Sequence, residues 1–230
     1  MRSYGQYCPV AIAAEVLGDR WTLLIVRELL HDVGRFNELE RGLPGISRSI
    51  LAGRLRRLVD LGLVDSAAAG RRSRGYRLTT SGRALGPVVF GLGDWAATWL
   101  LEEPTAQQLD VRLLMWWIRR HVRLEAVDGQ IVVRFEFTAP KVERFWLVIK
   151  PEGASVCVDD PGLDLDLVVT ADAATLYRVY MGRVSVGDAI RSGSLRLDGG
   201  LDVRRRFPAW FGLSRFSPAA RAGVARVASA

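Results

Sequence analysis

The stretch LPGISRSILAGRLRRLVDLGLVD, Leu43 to Asp65, sets four arginines among apolar residues at helical spacing. A guanidinium group is a planar fork of donors that matches phosphate oxygens and the paired acceptors on a guanine edge. Whether these arginines can do that chemistry depends on which way they face. Projected at about 100 degrees per residue, Ile50, Leu51, Leu55, Leu58 and Val59 cluster on one side. Ser49, Gly53, Arg56 and Asp60 fall opposite, flanked by Ala52 and Arg57, and Arg48 lies in the first turn. Small residues beside arginines permit close approach, so this face suits the major groove of DNA.

A second cationic feature follows. Gly70 to Arg77 contains Arg71, Arg72, Arg74 and Arg77 and no acid. As the tip of a hairpin it could reach a minor groove or run along phosphates. Charged faces of this kind are commonly just solvated. The succession of both within one compact segment is what favours a nucleic-acid partner.

The elements that must position these residues are legible in the pattern. Apolar residues recur at three- and four-residue spacing in Val10 to Leu17 and in Trp21 to Leu30, giving two helices with Val16, Leu17, Trp21, Leu24, Ile25 and Leu29 as core. A short helix fits Phe36 to Arg41, and Leu43-Pro44-Gly45 is a turn. Ser47 can cap a helix running to about Leu61, with Gly62 as its stop. Leu63 to Ser66 and Tyr76 to Thr79 read as strands around a long tip, and a long apolar helix, Arg83 to Leu101, ends at Glu102-Glu103-Pro104.

Beyond a helix at Ala106 to Arg120 the rhythm changes to alternation. In Gln130 to Thr138, Ile131, Val133, Phe135 and Phe137 point one way and Val132, Arg134 and Glu136 the other. Further strands fit Phe145 to Ile149, Ser155 to Val158, Leu165 to Thr170 and Leu195 to Leu197. Helices fit Ala173 to Met181, Val186 to Arg191 and the region Phe207 to Phe211. The expectation is an α+β chain of two domains, 1–104 and 105–230.

Composition narrows the function classes. The 230 residues are 49% hydrophobic, enough for two cores, with net charge +7 and pI about 10.1. Lys141 and Lys150 are the only lysines. Cys8 and Cys157 make no disulfide framework, and with His31 and His121 they assemble no zinc spacing, so neither metal nor cofactor is expected. The polar start has no signal-peptide layout, and no long uncharged apolar run suggests a membrane span, which together predict a cytoplasmic protein. No nucleophile, base or phosphate-loop constellation appears, so no catalytic residue is assigned and an enzyme is not expected. Asp159, Asp160, Asp164 and Asp166 read as solvated turn acids.

The run CPVAIAAEVLGDRWTLLIVRELLHDVGRFNELERGLPGISRSILAGRLRRLVDLGLVD, followed by YRLTTSGRAL, resembles the HxlR-type winged helix-turn-helix regulators over roughly Cys8 to Trp95. The resemblance implies a homodimer, held by its first and last helices, that grips a pseudo-palindromic double-stranded DNA operator through two recognition helices and two wings. It assigns Arg48, Ser49, Ala52, Gly53 and Arg56 to the groove, Arg54 to backbone phosphate or an internal ion pair, and Arg71, Arg72 and Arg74 to the wing. Ala67-Ala68-Ala69 departs from the proline- and valine-rich wing of the family. Cys8 matches a position that is a redox or electrophile sensor in several members; a small buried residue at the helix start is its other reading.

In the second half, DLVVTADAATLYRVYMGRVSVGDAIRSGSLRLDG resembles the close of the sterol carrier protein type two fold. That implies helices over a mostly antiparallel sheet and an apolar tunnel for a hydrophobic small molecule. Phe135, Phe137, Trp146, Tyr177, Tyr180, Met181, Trp210 and Phe211 are the candidate lining, and ordinary core is their other reading. The expected function is a dimeric, sequence-specific DNA-binding regulator, with repression the expected sign, whose rear domain binds a hydrophobic effector. The alternative is a regulator without a small ligand, its rear domain serving dimerisation or a protein partner, with Cys8 as sensor.

Overall fold

The computed structural model describes residues 4–68, 74–105 and 108–228. They form two compact units, residues 1–92 and 93–230. No helix among the described residues is long and apolar enough to cross a membrane.

The first unit contains α1 (Pro9–Leu17), α2 (Thr22–Leu30), α3 (Phe36–Arg41), α4 (Arg48–Asp60), a hairpin of β1 (Val64–Ala68) and β2 (Arg74–Leu78), the single turn α5 (Thr80–Arg83), and the start of α6 (Gly86–Trp99). Helix after helix ends where the sequence runs out of apolar periodicity. Gly62 follows α4 in the left-handed region, φ 66°, where a side chain would be strained. Ile25, Val26 and Leu29 of α2, Leu39 of α3, Leu51, Leu55 and Leu58 of α4, and Val64 with Leu78 of the hairpin fill the interior.

Two expectations are corrected here. Leu24, expected in the core, is 40% exposed, because the buried arc of α2 runs through Thr22, Ile25, Val26 and Leu29 and Leu24 points away from it. The single helix expected from Arg83 to Leu101 is broken, since Thr79 caps α5 by accepting from Gly82 N at 3.1 Å and α6 begins afresh at Gly86. Gly82 is required there: a Cβ would lie 2.0 Å from the Leu63 carbonyl oxygen. By contrast α1 buries no residue at all, leaving Val10 75% exposed although the helix is almost wholly apolar.

The second unit holds the end of α6, α7 (Val111–Arg120), a five-stranded sheet and four more helices. The strands are β3 (Ile131–Phe137), β4 (Glu143–Lys150), β5 (Gly153–Cys157), β6 (Leu167–Ala171) and β7 (Leu195–Gly199), in spatial order β5-β4-β3-β6-β7. Among the described residues of this sheet only β3 and β6 pair in parallel, Phe135 opposite Val169; the other pairings are antiparallel. Helices α8 (Ala173–Tyr180), α9 (Val186–Arg191), α10 (Leu201–Trp210) and α11 (Ser217–Ala228) complete it. Asp110, Asp172 and Ser185 cap α7, α8 and α9 through their side-chain oxygens.

One face of the sheet, built from Ile131, Val133, Phe135, Phe137, Phe145, Leu147, Ile149, Leu167 and Val169, packs with Leu114, Met115 and Ile118 of α7 and Phe207 and Trp210 of α10 into one core. Val132, on the opposite face, is buried as well. Helix α11 had no counterpart in the sequence pattern. It lies against the last half of α6, where a Cβ on Gly93 would come within 2.3 Å of the Phe216 ring and one on Gly223 within 2.8 Å of the Thr98 carbonyl oxygen. Two of the four turn acids are engaged by backbone: Asp160 accepts from Gly162 N at 2.9 Å and Asp166 from Val132 N at 2.8 Å.

Candidate nucleic-acid interface

Ser47 starts α4 by accepting the Ile50 N–H at 3.3 Å, and Leu51, Leu55 and Leu58 then fix the helix to the unit with no exposed area between them to slide on. That docking settles which residues look outward. Ser49 and Arg56 are exposed, and Ala52 and Gly53 are half-buried beside them. The absent side chain of Gly53 leaves room for Arg56, whose Nη2 would stand 4.0 Å from a Cβ there.

The four arginines part company in the structure. Arg56 forms no ion pair among the described residues and is exposed. Arg48 is held across to α3: its guanidinium pairs with Glu40, donates to Asn37 Oδ1 at 3.3 Å and lies 4.9 Å over the Phe36 ring, while its side chain stays 63% exposed. Arg54 makes the internal pair that was one of its two readings, donating from Nη1 to Asp19 Oδ2 at 2.5 Å and from Nε to the Arg20 carbonyl at 3.2 Å. Arg57 sits on the exposed flank. Replacing Arg54 by alanine should cost about 1 kcal/mol of stability or less, the pair being partly solvated. It should leave the salt dependence of DNA affinity unchanged; a slope that flattens in a salt titration would return Arg54 to the phosphate contacts.

The hairpin is braced from outside. Val64 faces Leu78 and both are buried, Asp65 faces Arg77, and Gly34 and Arg35 add a short third edge through Tyr76 N to Gly34 O at 2.8 Å and a bridge to Gly75. Gly34 allows that approach, since a Cβ would lie 2.5 Å from the Tyr76 carbonyl oxygen. Arg71 and Arg72 lie outside the described residues; of Arg74 only the backbone, at the start of β2, is described. On α2, Glu28 has a fully buried carboxylate that accepts from Arg27 Nη2 at 2.7 Å, and the same guanidinium reaches the Gly42 carbonyl at 3.3 Å, joining α2 to the end of α3. Neither residue type nor spacing marks Glu28 or Asp19 in the sequence, since each is recognised only through its partner in the fold.

Residues 1–92 carry 14 arginines and no lysine against 8 acids, so +6 of the chain's +7 resides in this unit. Such an imbalance attracts a polyanion and steers its approach. Cys8, just before α1, is exposed, which sets aside its reading as a packed residue. Its thiol is held below the ordinary value by the backbone N–H groups of Ala11 and then Val10.

In the second unit the expected lining residues do not form one set. Phe135, Phe137, Tyr177, Tyr180, Met181, Trp210 and Phe211 share the common core, with Phe137 edge-on to Phe145 at 5.9 Å and Phe207 stacked on Phe211 at 5.0 Å. Trp146 belongs to the other face, since its neighbours Phe145 and Leu147 point into the core and it alternates with them, opposite Arg134 and Cys157. Tyr180 Oη lies 3.0 Å from His121 Nδ1, which is also 2.9 Å from the Trp117 carbonyl; burial holds the His121 imidazole below its usual value.

Comparison with known proteins agrees with this geometry. The model of the HxlR-like helix-turn-helix family matches residues 16–104. An uncharacterized HTH-type transcriptional regulator of Mycobacterium tuberculosis (strain CDC 1551 / Oshkosh) is 44% identical over 125 residues, 54% of this chain and 73% of the relative. The uncharacterized HTH-type transcriptional regulator YvaP of Bacillus subtilis is 37% identical over 90 residues, 38% of this chain and 83% of YvaP. Among solved structures, the reduced form of the transcriptional regulator YodB from B. subtilis is 32% identical, covering 41% of this chain and 96% of that one with a TM-score of 0.36. With a relative this similar covered over most of its length, and the matched segment containing α2 to α6, the chain belongs to the HxlR-like helix-turn-helix family.

Proposed function

We propose that this protein is a transcriptional regulator that binds a DNA operator as a homodimer, reading bases through α4. The observation that carries the reading is the outer face of α4: Ser49, Ala52, Gly53 and an exposed Arg56 with no ion pair among the described residues, on a helix anchored from the other side by buried Leu51, Leu55 and Leu58. Arg48 stands at the same end, orientated by Glu40 and Asn37 yet still mostly exposed. Arg71, Arg72 and Arg74 are assigned to phosphate or minor-groove contact by the wing. Dimerisation is supported by α1, which buries no residue fully and leaves Val10 and Ile12 exposed, and by exposed Val88 and Leu92 on α6. We take the functional division at residue 104, a reading supported by the end of the family match there, with 105–230 as the effector part.

The test is base dependence. On an operator selected from random sequence, Arg56→Ala should lose about 1 to 3 kcal/mol of binding, with little change on unrelated DNA. Equal losses on both would reject base readout and leave Arg56 a phosphate contact.

For the rear part we propose a domain of the sterol carrier protein type two kind. Support comes from the mostly antiparallel sheet with α7 and α10 packed against one face, and from its close: β6, α8 ending before Gly182 at φ 69°, α9, then β7. A hydrophobic effector bound there would bias the dimer by linkage, shifting it only as far as its affinity differs between DNA-competent and incompetent forms. Repression is the proposed sign. A second reading, a rear domain without small ligand that serves dimerisation or a protein partner, is favoured by the ring-on-ring packing of Phe137, Phe145, Phe207 and Phe211. In that case Cys8, exposed and with a lowered thiol, would be the sensor.

A further inference from the structure

A different space, open to solvent on one side, lies outside the aromatic core. Leu109, Asp110, Val111 and Arg112 at the start of α7, and Pro140, Lys141 and Glu143 between β3 and β4, line a cavity of about 490 Å³, within the range of small-molecule sites. None of the eight aromatic and sulfur-bearing residues considered above belongs to it. Its apolar side is Leu109, Val111 and Pro140, and Val111 is part of the main core. Val142, between two lining residues in sequence, is 77% exposed. The loop that forms the far wall is anchored, Thr138 N donating to Ala171 O at 3.1 Å and Ala173 N to Ala139 O at 3.0 Å. The shape is therefore built into the fold.

The charges in the cavity are unequal. Asp110 is committed to the helix, its Oδ1 accepting from Arg112 N at 2.9 Å and Leu113 N at 3.1 Å. Arg112 and Lys141 have no acidic partner among the described residues, and Glu143, half-buried, has no basic one. Two cations without an acidic partner and one carboxylate without a basic one, among the described residues, thus line the same cavity as Leu109, Val111 and Pro140. We infer that this cavity binds a small amphipathic monoanion, an apolar chain or ring bearing one carboxylate, with the anion on Arg112 and Lys141. Glu143 keeps the site from accepting a second negative group near the first. The inference deepens the effector reading of the rear part by naming a location and a ligand class, and it needs no ligand inside the aromatic core.

Decanoate and 1-decanol, titrated calorimetrically into the full chain, separate the possibilities. Decanoate should bind and decanol bind more weakly. The double variant Arg112→Ala/Lys141→Ala, both positions exposed, should weaken decanoate about tenfold or more while leaving decanol nearly unchanged, as expected for lost charge-assisted hydrogen bonds. Glu143→Gln should strengthen decanoate. Decanoate binding that is untouched in the double variant would overturn the cavity while leaving a ligand in the aromatic core tenable. Equal binding of acid and alcohol, or binding of neither to the unmodified chain, would overturn it as well.

Discussion

Replacing Leu55 by alanine is expected to destabilise the N-terminal unit by about 2 to 5 kcal/mol, the cost of deleting a buried leucine side chain and leaving a cavity. Leu55 is fully buried and sits midway between Leu51 and Leu58, so α4 loses its central point of attachment. Urea titration should show a lower midpoint at unchanged slope. Operator binding should fall as well, though for a reason unlike that of Arg56→Ala: a helix that rocks on its base presents its outer face in many orientations, so both operator and unrelated DNA suffer. Arg56→Ala, on the solvent side, should leave the urea midpoint where it was. A Leu55→Ala variant that loses less than about 1 kcal/mol would mean that the neighbouring leucines close over the gap, and that α4 is held chiefly by its ends.

The second large effect belongs to Trp210. It is the largest fully buried side chain, edge-on to Phe207 at 4.9 Å and adjoining Phe211. Truncation to alanine should cost about 3 to 5 kcal/mol in the rear unit. The indole also carries a liability, because Trp210 Nε1 is buried with no hydrogen-bond partner among the described residues, and an unmet donor costs about 1 to 3 kcal/mol. Trp210→Phe keeps a ring against Phe207 and removes that donor, so it should destabilise far less than alanine. Calorimetry on the full chain distinguishes them: alanine should lower the transition of the rear unit and leave that of the DNA-binding unit in place. If phenylalanine proves as harmful as alanine, the indole nitrogen must be engaged and the ring is not what matters.

What the sequence made legible follows from how local the signals are. Ser47, the leucine spacing of α4 and Gly62 lie within one short stretch, and the helix formed as they dictate. The alternation of β3 and β4 gave the inward set from Ile131 to Phe137 for the same reason. Long-range partnerships were not legible. Nothing near Arg54 indicated Asp19, thirty-five residues away, and nothing near Trp146 indicated that the inner face of β4 was already taken by Phe145 and Leu147. Helix α11 escaped because it packs through Ala220 and Gly223, small residues whose burial leaves no large apolar rhythm. The cavity escaped because its walls come from two segments roughly thirty residues apart, neither of which carries a motif.

The bond from Arg54 to the Asp19-Arg20 turn has a further meaning. That turn immediately follows α1, the helix that leaves Val10 and Ile12 exposed. In the proposed dimer, α4 is therefore tethered at mid-length to the end of the helix that meets the partner subunit. In that dimer the pair would act as a tie-rod: it contributes little to holding the unit together, but it would convert a tilt of α1 into a tilt of α4. The distance between the two halves of a palindrome that such a dimer accepts would then be written partly at Asp19, a residue that touches no base.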